Sequence, residues 1–520
     1  MRFSLLVLTA VFSLHLAAAP PIDATVPPLV YDSLSRVSAN ALKAHVSFLA
    51  SDYLEGRNTP SRGLDIAAEY IAAQFRRAGL QPIPGTQSYF QVAEWKYKQI
   101  PLEDTKFVLE SPDGKIELNH THLSINVLAN AALDKAPVFV ARVNDTDTLK
   151  QHAEGYLKGK AVLAIVPSRA DLRDAPREQR SERIREANEF LNALRRLKPA
   201  MIFAVRGDGE TGTGSAGSLI DPEKPNQRRP GFGQINSVHS AALASKVASL
   251  PSGETDLRLT MQMPEPEERP VHLKNVIGVL PGSDPQLKDT YVMITAHYDH
   301  IGTTIPENGD GIYNGANDDA SGTASVMELA SVFAAMAQRP RRTLVFMTVF
   351  GEERGLLGAQ YYAAHPVFPL AKTVADINLE HMGRTDATEG PQINRLSVTG
   401  YDFSEVTEFF QLAGKLTAVE IYKDAENSEA FFPRSDNQAF ANAGIPAHTF
   451  CVAFEFPDYH GLADTWEKID YENMARVDRT VASAVWMIAQ RTERPEWNQT
   501  STQTEKYREA RKKEGNKPPQ

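Results

Sequence analysis

The sequence predicts an α/β fold of three layers, with a mixed, mostly parallel central sheet between two layers of helices. From residue 272 onward, short apolar runs typical of buried strands alternate with helical patterns; the runs occupy residues 291–295, 343–350, 374–379, 395–399 and 447–452. An amphipathic helix is predicted over 320–337, and Arg339-Pro340 ends it. Strands and helices that alternate in this way favour a parallel sheet covered on both faces.

More than one folded unit is expected, because a chain of 520 residues exceeds the size at which a single hydrophobic core keeps growing. Helical periodicity predicts two helices over 38–80, with Gly79 as a C-cap. A smaller, inserted, β-rich unit is predicted where strands at 159–166 and 200–205 flank a charged helix at 183–197. The predicted plan is a signal peptide (1–19), the N-terminal part of the main domain (20–125), the inserted unit (126–265), the main domain (266–495) and a charged, disordered tail (496–520).

The first residues have the pattern of an export signal. Arg2 supplies a short positive region, the stretch 5–16 is mostly apolar, and Ala17 to Ala19 offer a small-residue cleavage site. The apolar run is too short for a transmembrane helix, which needs about 20 residues. We therefore expect an exported protein, periplasmic or extracellular, without a stable membrane anchor.

Composition excludes several classes of protein. A hydrophobic fraction of 42% and a charged fraction of 23% are ordinary for a globular protein with a real core. The net charge of −10 gives no electrostatic footprint for nucleic acid. Cys451 is the only cysteine, so an intrachain disulfide is excluded and a buried, unreactive thiol is expected. The sequence leaves the oligomeric state open.

Five short motifs place acidic or imidazole groups just after an apolar strand or at a turn. They lie at 296–300, 314–322, 351–355, 378–383 and 458–461. Any one of them is weak evidence, because most histidines and carboxylates at strand ends are structural or solvated. Together they offer two imidazoles and three carboxylates, a mixed set that suits zinc and is large enough for two ions.

The order and spacing of these motifs resemble the co-catalytic zinc exopeptidases, a family that includes bacterial leucyl-type aminopeptidases, aminopeptidase Y and glutamate carboxypeptidase with its relative the transferrin receptor. The resemblance covers residues 38 to about 490, and the inserted unit resembles the protease-associated domain of many members. It implies an exopeptidase, most simply an aminopeptidase, that acts on peptide substrates with two zinc ions per chain.

The resemblance also implies a role for each motif residue. Asp318 would bridge the two ions, with His297 and Glu380 completing one site and Glu353 and His460 completing the other. Many relatives carry aspartate where this chain has Glu380, which leaves its mode of coordination open. Each ion keeps an open position, and two such ions activate a shared water.

Further residues match the family's catalytic and supporting positions. Glu352 matches the general base, and Tyr459 matches a tyrosine that donates to the oxyanion, although core packing explains Tyr459 equally well. Asp299 matches the carboxylate that accepts the second N–H of the histidine ligand. Asp319 matches a residue joined to the bridging aspartate by a cis peptide bond, and Asp436 matches a supporting position.

Four other histidines are predicted to be structural or surface residues: His300, His365, His381 and His448. For His381 the reason is geometric. Neighbours on a strand point to opposite faces, so His381 is expected to turn away from the side that Glu380 uses.

Three alternative functions remain open at this point. A carboxypeptidase acting on acidic C-termini needs arginines placed to bind a carboxylate, and Arg384, Arg395 and Arg434 are the candidates. A glutaminyl cyclase resembles the same fold with a single zinc, and a metal-free binding protein would need vacant ligand positions, of which the sequence shows none.

Overall fold

A computed structural model describes residues 26–126, 132–167, 177–207, 214–215, 217–224, 236–307 and 309–515. The predicted signal peptide, residues 1–19, lies outside these ranges. Every helix within them is too short or too polar to cross a membrane.

The helices of the described residues lie in both halves of the chain. They are α1 (Pro28–Leu34), α2 (Ala39–Leu49), α3 (Arg62–Ala78), α4 (Thr146–Gln151), α5 (Arg177–Arg196), α6 (Ala241–Ala248), α7 (Gly322–Ala334), α8 (Leu357–Ala364), α9 (Val406–Thr417), α10 (Asn427–Ala430), α11 (Asn437–Asn442), α12 (Tyr471–Gln490) and α13 (Glu505–Gly515).

The strands form two large sheets and two short hairpins. They are β1 (Phe90–Gln99), β2 (Lys106–Ser111), β3 (Gly114–Asn119), β4 (Leu123–Ile125), β5 (Ala132–Arg142), β6 (Ala161–Ile165), β7 (Met201–Arg206), β8 (Gly214–Ser215), β9 (Ser218–Ile220), β10 (Asn236–His239), β11 (Gly253–Gln262), β12 (Glu267–Leu280), β13 (Tyr291–His297), β14 (Thr303–Glu307), β15 (Asp310–Ile312), β16 (Thr343–Val349), β17 (Thr373–Leu379), β18 (Asp386–Ala387), β19 (Gly390–Pro391), β20 (Arg395–Val398), β21 (Glu420–Tyr422) and β22 (Ala447–Cys451).

The first sheet has the strand order β21-β20-β22-β17-β13-β16-β12-β1-β9. Its centre is parallel: β13 pairs in parallel with β16 and β17, and β17 pairs in parallel with β22. Antiparallel pairs of β20 with β22 and of β12 with β16 flank this centre. The five predicted strands at 291–295, 343–350, 374–379, 395–399 and 447–452 are thus confirmed as β13, β16, β17, β20 and β22.

Helices cover both faces of this sheet, which confirms the three-layer prediction. One hydrophobic cluster joins the sheet to residues of α2, α3, α7, α9 and α12. A second cluster joins the opposite face to residues of α8, α11 and α13. The two helices predicted over 38–80 are α2 and α3, and Gly79 ends α3 in the left-handed conformation (φ 81°).

The second sheet has the strand order β3-β2-β11-β5-β6-β7-β10-β4-β8 and its own hydrophobic core. The strands predicted at 159–166 and 200–205 are β6 and β7, with α5 between them. The predicted start of this unit at residue 126 is wrong, because β2, β3 and β4 already belong to it. The strand β9 returns to the first sheet and pairs with β1, so the segment is not a simple insertion. Its identity as a protease-associated domain stays a prediction.

The predicted disorder of the tail 496–520 is wrong for the part that the structure describes. Trp497 and Tyr507 are buried and stack on each other, with ring centroids 4.9 Å apart. Arg511 in α13 donates to the carbonyl oxygens of Leu370 and Thr373, at 3.2 and 3.0 Å. The charged composition of the tail gives no sequence signal for these few anchoring residues. Residues 516–520 lie outside the described part.

Candidate metal centre

The five motifs converge at the carboxyl ends of the parallel strands. His297 is the last residue of β13, Glu352 and Glu353 follow β16, and Glu380 follows β17 directly. His460 lies in the loop after β22, and Asp318 lies in the segment that leads into α7. Functional groups gather at this edge in open α/β sheets, because the loops there all leave the same side.

The first cluster consists of His297, Asp318 and Glu380. The Nε2 atom of His297 lies 3.3 Å from Oδ1 of Asp318 and 4.0 Å from Oε1 of Glu380. Its other nitrogen, Nδ1, lies 3.2 Å from the carbonyl oxygen of Asp299. Since a carbonyl only accepts, Nδ1 carries the proton and the lone pair of Nε2 faces the cluster. One ligand atom from each residue lies within 4.8 Å of the others.

The second cluster consists of Asp318, Glu353 and His460. The Nε2 atom of His460 lies 3.1 Å from Oδ2 of Asp318 and 3.2 Å from Oε2 of Glu353. Asp318 therefore presents Oδ1 to the first cluster and Oδ2 to the second. Asp318 is thus the residue that the two clusters share.

The donors fit divalent cations in chemistry and in charge. The buried atom Nε2 of His297 makes no hydrogen bond within the described residues. Although burial lowers it, the carboxylates of Asp318 and Glu353 raise the pKa of His460 to about 10. Although burial opposes it, contacts with His297, His381 and His460 hold the pKa of Asp318 well below its usual range. A centre of such negative potential, built from imidazole and carboxylate, suits zinc.

Asp299 lies beneath the first cluster, as the sequence predicts, but with a different contact. Its Oδ1 lies 3.6 Å from Nδ1 of His297, so the nearer acceptor is the carbonyl oxygen of Asp299 itself. The carboxylate instead accepts from the backbone N–H of Glu352 at 3.1 Å and from the hydroxyl of Thr59 at 2.9 Å. Asp299 thus ties the histidine ligand to the backbone of the predicted general base.

Glu352 faces the cavity beside both clusters. Burial raises the pKa of its carboxyl group well above the usual value; His297 opposes this effect, and Glu380 and Glu353 add to it. Glu353, its neighbour, points into the second cluster. Although burial and Asp318 raise it, contacts with His300 and His460 bring the pKa of Glu353 down to about 2. The adjacent carboxylates thus face different partners, as predicted.

Asp319 and Asp436 support the centre without entering either cluster. The peptide bond between Asp318 and Asp319 is cis, as the resemblance implies. Oδ1 of Asp319 accepts from the backbone N–H groups of Gly322 and His381, at 3.0 and 3.3 Å. Asp436 is fully buried with both carboxylate oxygens unpaired in the described part of the protein. Burial raises its pKa to about 8, and it interacts electrostatically with His297, Asp299 and Glu380.

Tyr459 lines a narrow cavity beside the two clusters. The residues that line this cavity include residues of the first cluster and its neighbours; they are Asp318, Glu352, Glu380, His381, Thr399, Phe431, Arg434, Ser435, Thr449, Cys451, Phe454 and Tyr459. The ring of Tyr459 also stacks on His460, with centroids 4.0 Å apart. The two predicted roles of Tyr459, at the cavity and in packing, are therefore compatible. Cys451 is buried, as expected.

The prediction that His381 turns away from the side of Glu380 is wrong, since its Nε2 lies 3.8 Å from Oε1 of Glu380. His300, also expected to be structural, groups with Asp318 and Glu353 as a possible metal ligand. Nδ1 of His300 lies 2.8 Å from Oε1 of Glu353, and Nε2 of His381 lies 3.7 Å from Oδ1 of Asp318. Strand alternation failed for His381 because β17 ends at Leu379, and His381 has a left-handed backbone (φ 53°).

The predictions for the other two histidines agree with the structure. His448 is buried and satisfied by the carbonyl oxygen of Thr399 and the hydroxyl of Ser404. His365 lies near the surface and pairs with Glu223.

Sequence reasoning missed Arg57, which is fully buried although it belongs to the N-terminal part of the domain. Its guanidinium donates to the carbonyl oxygens of Tyr298, Asn314 and Gly315, at 3.0, 2.7 and 3.0 Å. It therefore joins the loop after His297 to the loop before Asp318. No motif surrounds Arg57, so its only sequence signal is an arginine between two predicted helices.

Asp464 and Gly315 were also missed, and both shape the loop that carries Asp318. The carboxylate of Asp464 accepts from the backbone N–H groups of Asn317 and Asp318, at 3.0 and 3.2 Å. Gly315 has a φ of 58°, and a Cβ there would lie 2.3 Å from the carbonyl oxygen of Asp318 and 2.5 Å from the ring of His300. Only glycine fits this close approach.

Residues 275–485 match the sequence model of Peptidase family M28. Similar curated proteins are fungal. A probable zinc metalloprotease of Leptosphaeria maculans is 27% identical over 256 residues, which cover 42% of this chain and 58% of the relative. Another from Pyrenophora teres f. teres is 30% identical over 239 residues, which cover 42% of this chain and 49% of the relative. The match thus spans about half the length of these relatives.

Solved structures show the same fold over most of the chain. An aminopeptidase from Aneurinibacillus sp. strain AM-1 is 20% identical, covers 89% of this chain and 97% of its own, and has a TM-score of 0.55. BSAP, a zinc aminopeptidase from Bacillus subtilis, is 19% identical, with coverages of 87% and 95% and a TM-score of 0.56. At these identities the likeness establishes the fold alone.

Proposed function

We propose that this chain, whose residues 275–485 match the sequence model of Peptidase family M28, is a zinc-dependent aminopeptidase that removes N-terminal residues from peptides. One observation carries the proposal: Asp318 presents one carboxylate oxygen to each of two histidine and carboxylate clusters. Glu352 and Tyr459 line the cavity beside them. The names of the relatives and structural neighbours support the zinc and aminopeptidase parts of the proposal.

Two zinc ions would be held by the residues already in place. His297, Asp318 and Glu380 would bind one ion, and Asp318, Glu353 and His460 the other. Bound zinc supplies Lewis acidity, which polarises a carbonyl group and lowers the pKa of water. Three protein ligands per ion leave room for water or substrate, as in catalytic rather than structural sites.

Glu352 would move the proton. Its carboxylate accepts the proton of the attacking water and, as the carboxylic acid, returns it to the leaving amine. Burial is the largest cause that raises the pKa of Glu352 above its usual value, which is the direction expected for a group that serves as both base and acid. The hydrogen bond from its backbone N–H to Asp299 holds the residue in place at the centre.

Tyr459 would bind the oxyanion. A tyrosine hydroxyl at the cavity wall donates a hydrogen bond to the oxygen that becomes negative as the tetrahedral species forms. Stacking on His460 fixes the ring and ties it to the second cluster.

The cavity lining favours an amino terminus. Bound zinc would neutralise Asp318 and Glu380, and Glu352 is then the lining carboxylate that attracts a substrate ammonium group. This supports an exopeptidase that reads the free α-amine. The export pattern at 1–19 further supports action on peptides outside the cytoplasm.

A glutamate carboxypeptidase-like exopeptidase is the second candidate. It is favoured by Arg434, whose guanidinium lines the same cavity. The two functions differ in whether the substrate needs a free amine, so blocking that amine separates them.

The test compares leucyl-4-nitroanilide with N-acetyl-leucyl-4-nitroanilide. We expect cleavage of the first and at least roughly 10³-fold slower cleavage of the second, because a site built to bind an amine rejects a substrate without it. Chelation with 1,10-phenanthroline is expected to abolish activity and added zinc to restore it. Equal cleavage of both substrates would contradict the aminopeptidase proposal.

Glu352→Gln tests the proposed base. We expect it to retain its metal and to lose about 10²- to 10⁴-fold in kcat. Glu328→Gln is a matched control, because Glu328 is a buried glutamate that contacts Ser38 rather than the metal centre. If the Glu352→Gln protein were as active as the control, Glu352 would not be the general base.

A further inference from the structure

Three arginines were candidates for binding a substrate carboxylate, and the structure separates them. Arg384 donates to the carboxylates of Asp386 and Asp458, so its charge is already compensated within the protein. Arg395 pairs with Glu420 and stacks on Tyr422, with its guanidinium carbon 3.9 Å from the ring centroid. Neither lines the cavity.

Arg434 differs from both. It lines the cavity together with Glu352 and Tyr459, and it is the only arginine or lysine among the cavity-lining residues that the structure describes. Its guanidinium stacks on Phe431 at 4.1 Å from the ring centroid. Among the described residues no carboxylate pairs with it, and the residue is exposed to solvent.

We propose that Arg434 binds a carboxylate of the substrate in the cavity beside the metal centre. The inference rests on the proposed function, because it takes the cavity to be the peptide-binding site. The carboxylate belongs either to the C-terminus of a dipeptide or to the side chain of an acidic residue.

The position of Arg434 follows from charge and from shape. Arg434 is the only arginine or lysine among the described residues that line the cavity, so it offers a charged partner to an anionic group of the substrate. Stacking on Phe431 uses the face of the guanidinium and leaves its N–H edge free for a bidentate contact with a carboxylate. Phe431 also restricts the Arg434 side chain before substrate binds, so less side-chain conformational entropy is lost on binding.

The experiment compares two substrate pairs, each with and without a carboxylate: Leu-Ala with Leu-Ala-NH₂, and glutamyl- with glutaminyl-4-nitroanilide. For each pair the ratio of kcat/KM is measured in wild type and in Arg434→Met, which keeps the length of the side chain and removes its charge. We expect one ratio to fall about 10-fold, since a partly exposed charged hydrogen bond contributes at the lower end of its range. A fall in the first ratio identifies the C-terminus, and a fall in the second identifies the side chain.

Two further variants sharpen the result. Arg434→Lys is expected to retain part of the ratio, because it keeps the charge but not the planar fork. Arg395→Met is the matched control, an arginine that also stacks on an aromatic ring but lies away from the cavity, and it is expected to leave both ratios unchanged. If both ratios in Arg434→Met equal those of wild type, the proposal is overturned. A fall of the same factor in kcat/KM for all four substrates leaves the ratios unchanged and overturns it too.

Failure of the proposed function is recognisable separately. If wild type cleaves none of the four substrates, the aminopeptidase proposal fails. Isothermal titration of Leu-Ala and Leu-Ala-NH₂ into wild type and Arg434→Met then measures the same ratio as affinities. A 10-fold fall in that ratio supports the carboxylate contact, and an unchanged ratio or no binding of Leu-Ala overturns it.

Discussion

The first and second clusters share Asp318 but are held by different kinds of structure. His297 ends a central strand, and its side chain is 1% exposed. His460 lies in a loop with a left-handed backbone (φ 52°), and its side chain is 37% exposed. The sheet therefore positions the first cluster, whereas a loop completes the second. We expect the ion of the second cluster to be held less tightly and to exchange faster.

The supporting contacts differ in the same way. Behind the first cluster, Asp299 connects His297 to Thr59 and to the backbone of Glu352. Behind the second, His300 contacts Glu353 at 2.8 Å. Because residues behind the ligands set their orientation, each cluster is expected to respond to its own set of substitutions.

The largest effect is expected from Asp318→Asn, which removes the element that the two clusters share. Loss of the bridging carboxylate removes several kcal/mol of transition-state stabilisation, or about 10³-fold in kcat/KM. Hydrolysis of leucyl-4-nitroanilide measures it. Asp376→Asn is the control, a buried aspartate that accepts from Thr295 outside both clusters. Activity close to wild type in Asp318→Asn would contradict a shared carboxylate.

The next effect separates the two clusters. His460→Ala is expected to weaken the second ion by more than about 100-fold and to leave the first in place. His297→Ala is expected to lose the first ion and also to lower the free energy of unfolding, because its buried ring leaves a cavity in the core. Zinc titration by calorimetry and thermal unfolding measure these effects. If His460→Ala lost both ions with equal ease, the clusters would not be separable.

A smaller effect is expected from His300→Gln. The substitution removes the imidazole that contacts Glu353, so the affinity for the second ion should fall about 10- to 100-fold while the first is retained. His448→Gln is the matched control, since His448 is equally buried but bonded to Thr399 and Ser404. Competition with a chromophoric chelator measures both affinities. Equal weakening of the two ions would assign His300 a general structural role.

The smallest effect is expected from Thr59→Val, which removes the hydroxyl that donates to Asp299. The loss of this buried hydrogen bond should lower the free energy of unfolding by about 1 kcal/mol. It should also reduce kcat more than it changes KM, because Asp299 holds Glu352. Thr59→Ser keeps the hydroxyl and is expected to restore both values. A change in KM alone would show that Asp299 does not position Glu352.

Much of the fold and of the two clusters could be predicted because several of their signals are local. Apolar runs mark β13, β16 and β17; His297 ends the first, and Glu353 and Glu380 follow the other two within a few residues. Asp318 and His460 lie further along, in the connections after β13 and β22. Parallel strands then bring the ligands to a single edge, so convergence follows from topology without knowledge of the loops.

The remaining parts depend on where the chain goes after a strand ends. His381 faces the centre because its backbone is left-handed, and strand periodicity carries no information about that. Arg57 reaches the loops that carry His297 and Asp318 from more than 200 residues away in sequence. The anchoring of α13 through Tyr507 and Arg511 rests on two side chains within a polar stretch.

Zinc bound per chain, measured by elemental analysis of the purified protein, tests the central claim most directly. The geometry of Asp318, with one oxygen toward each cluster, predicts two zinc ions per chain in wild type. One ion per chain would contradict the shared carboxylate and favour the chemistry of a single-zinc cyclase. A protein without metal would contradict the enzyme proposal and favour a metal-free binding protein.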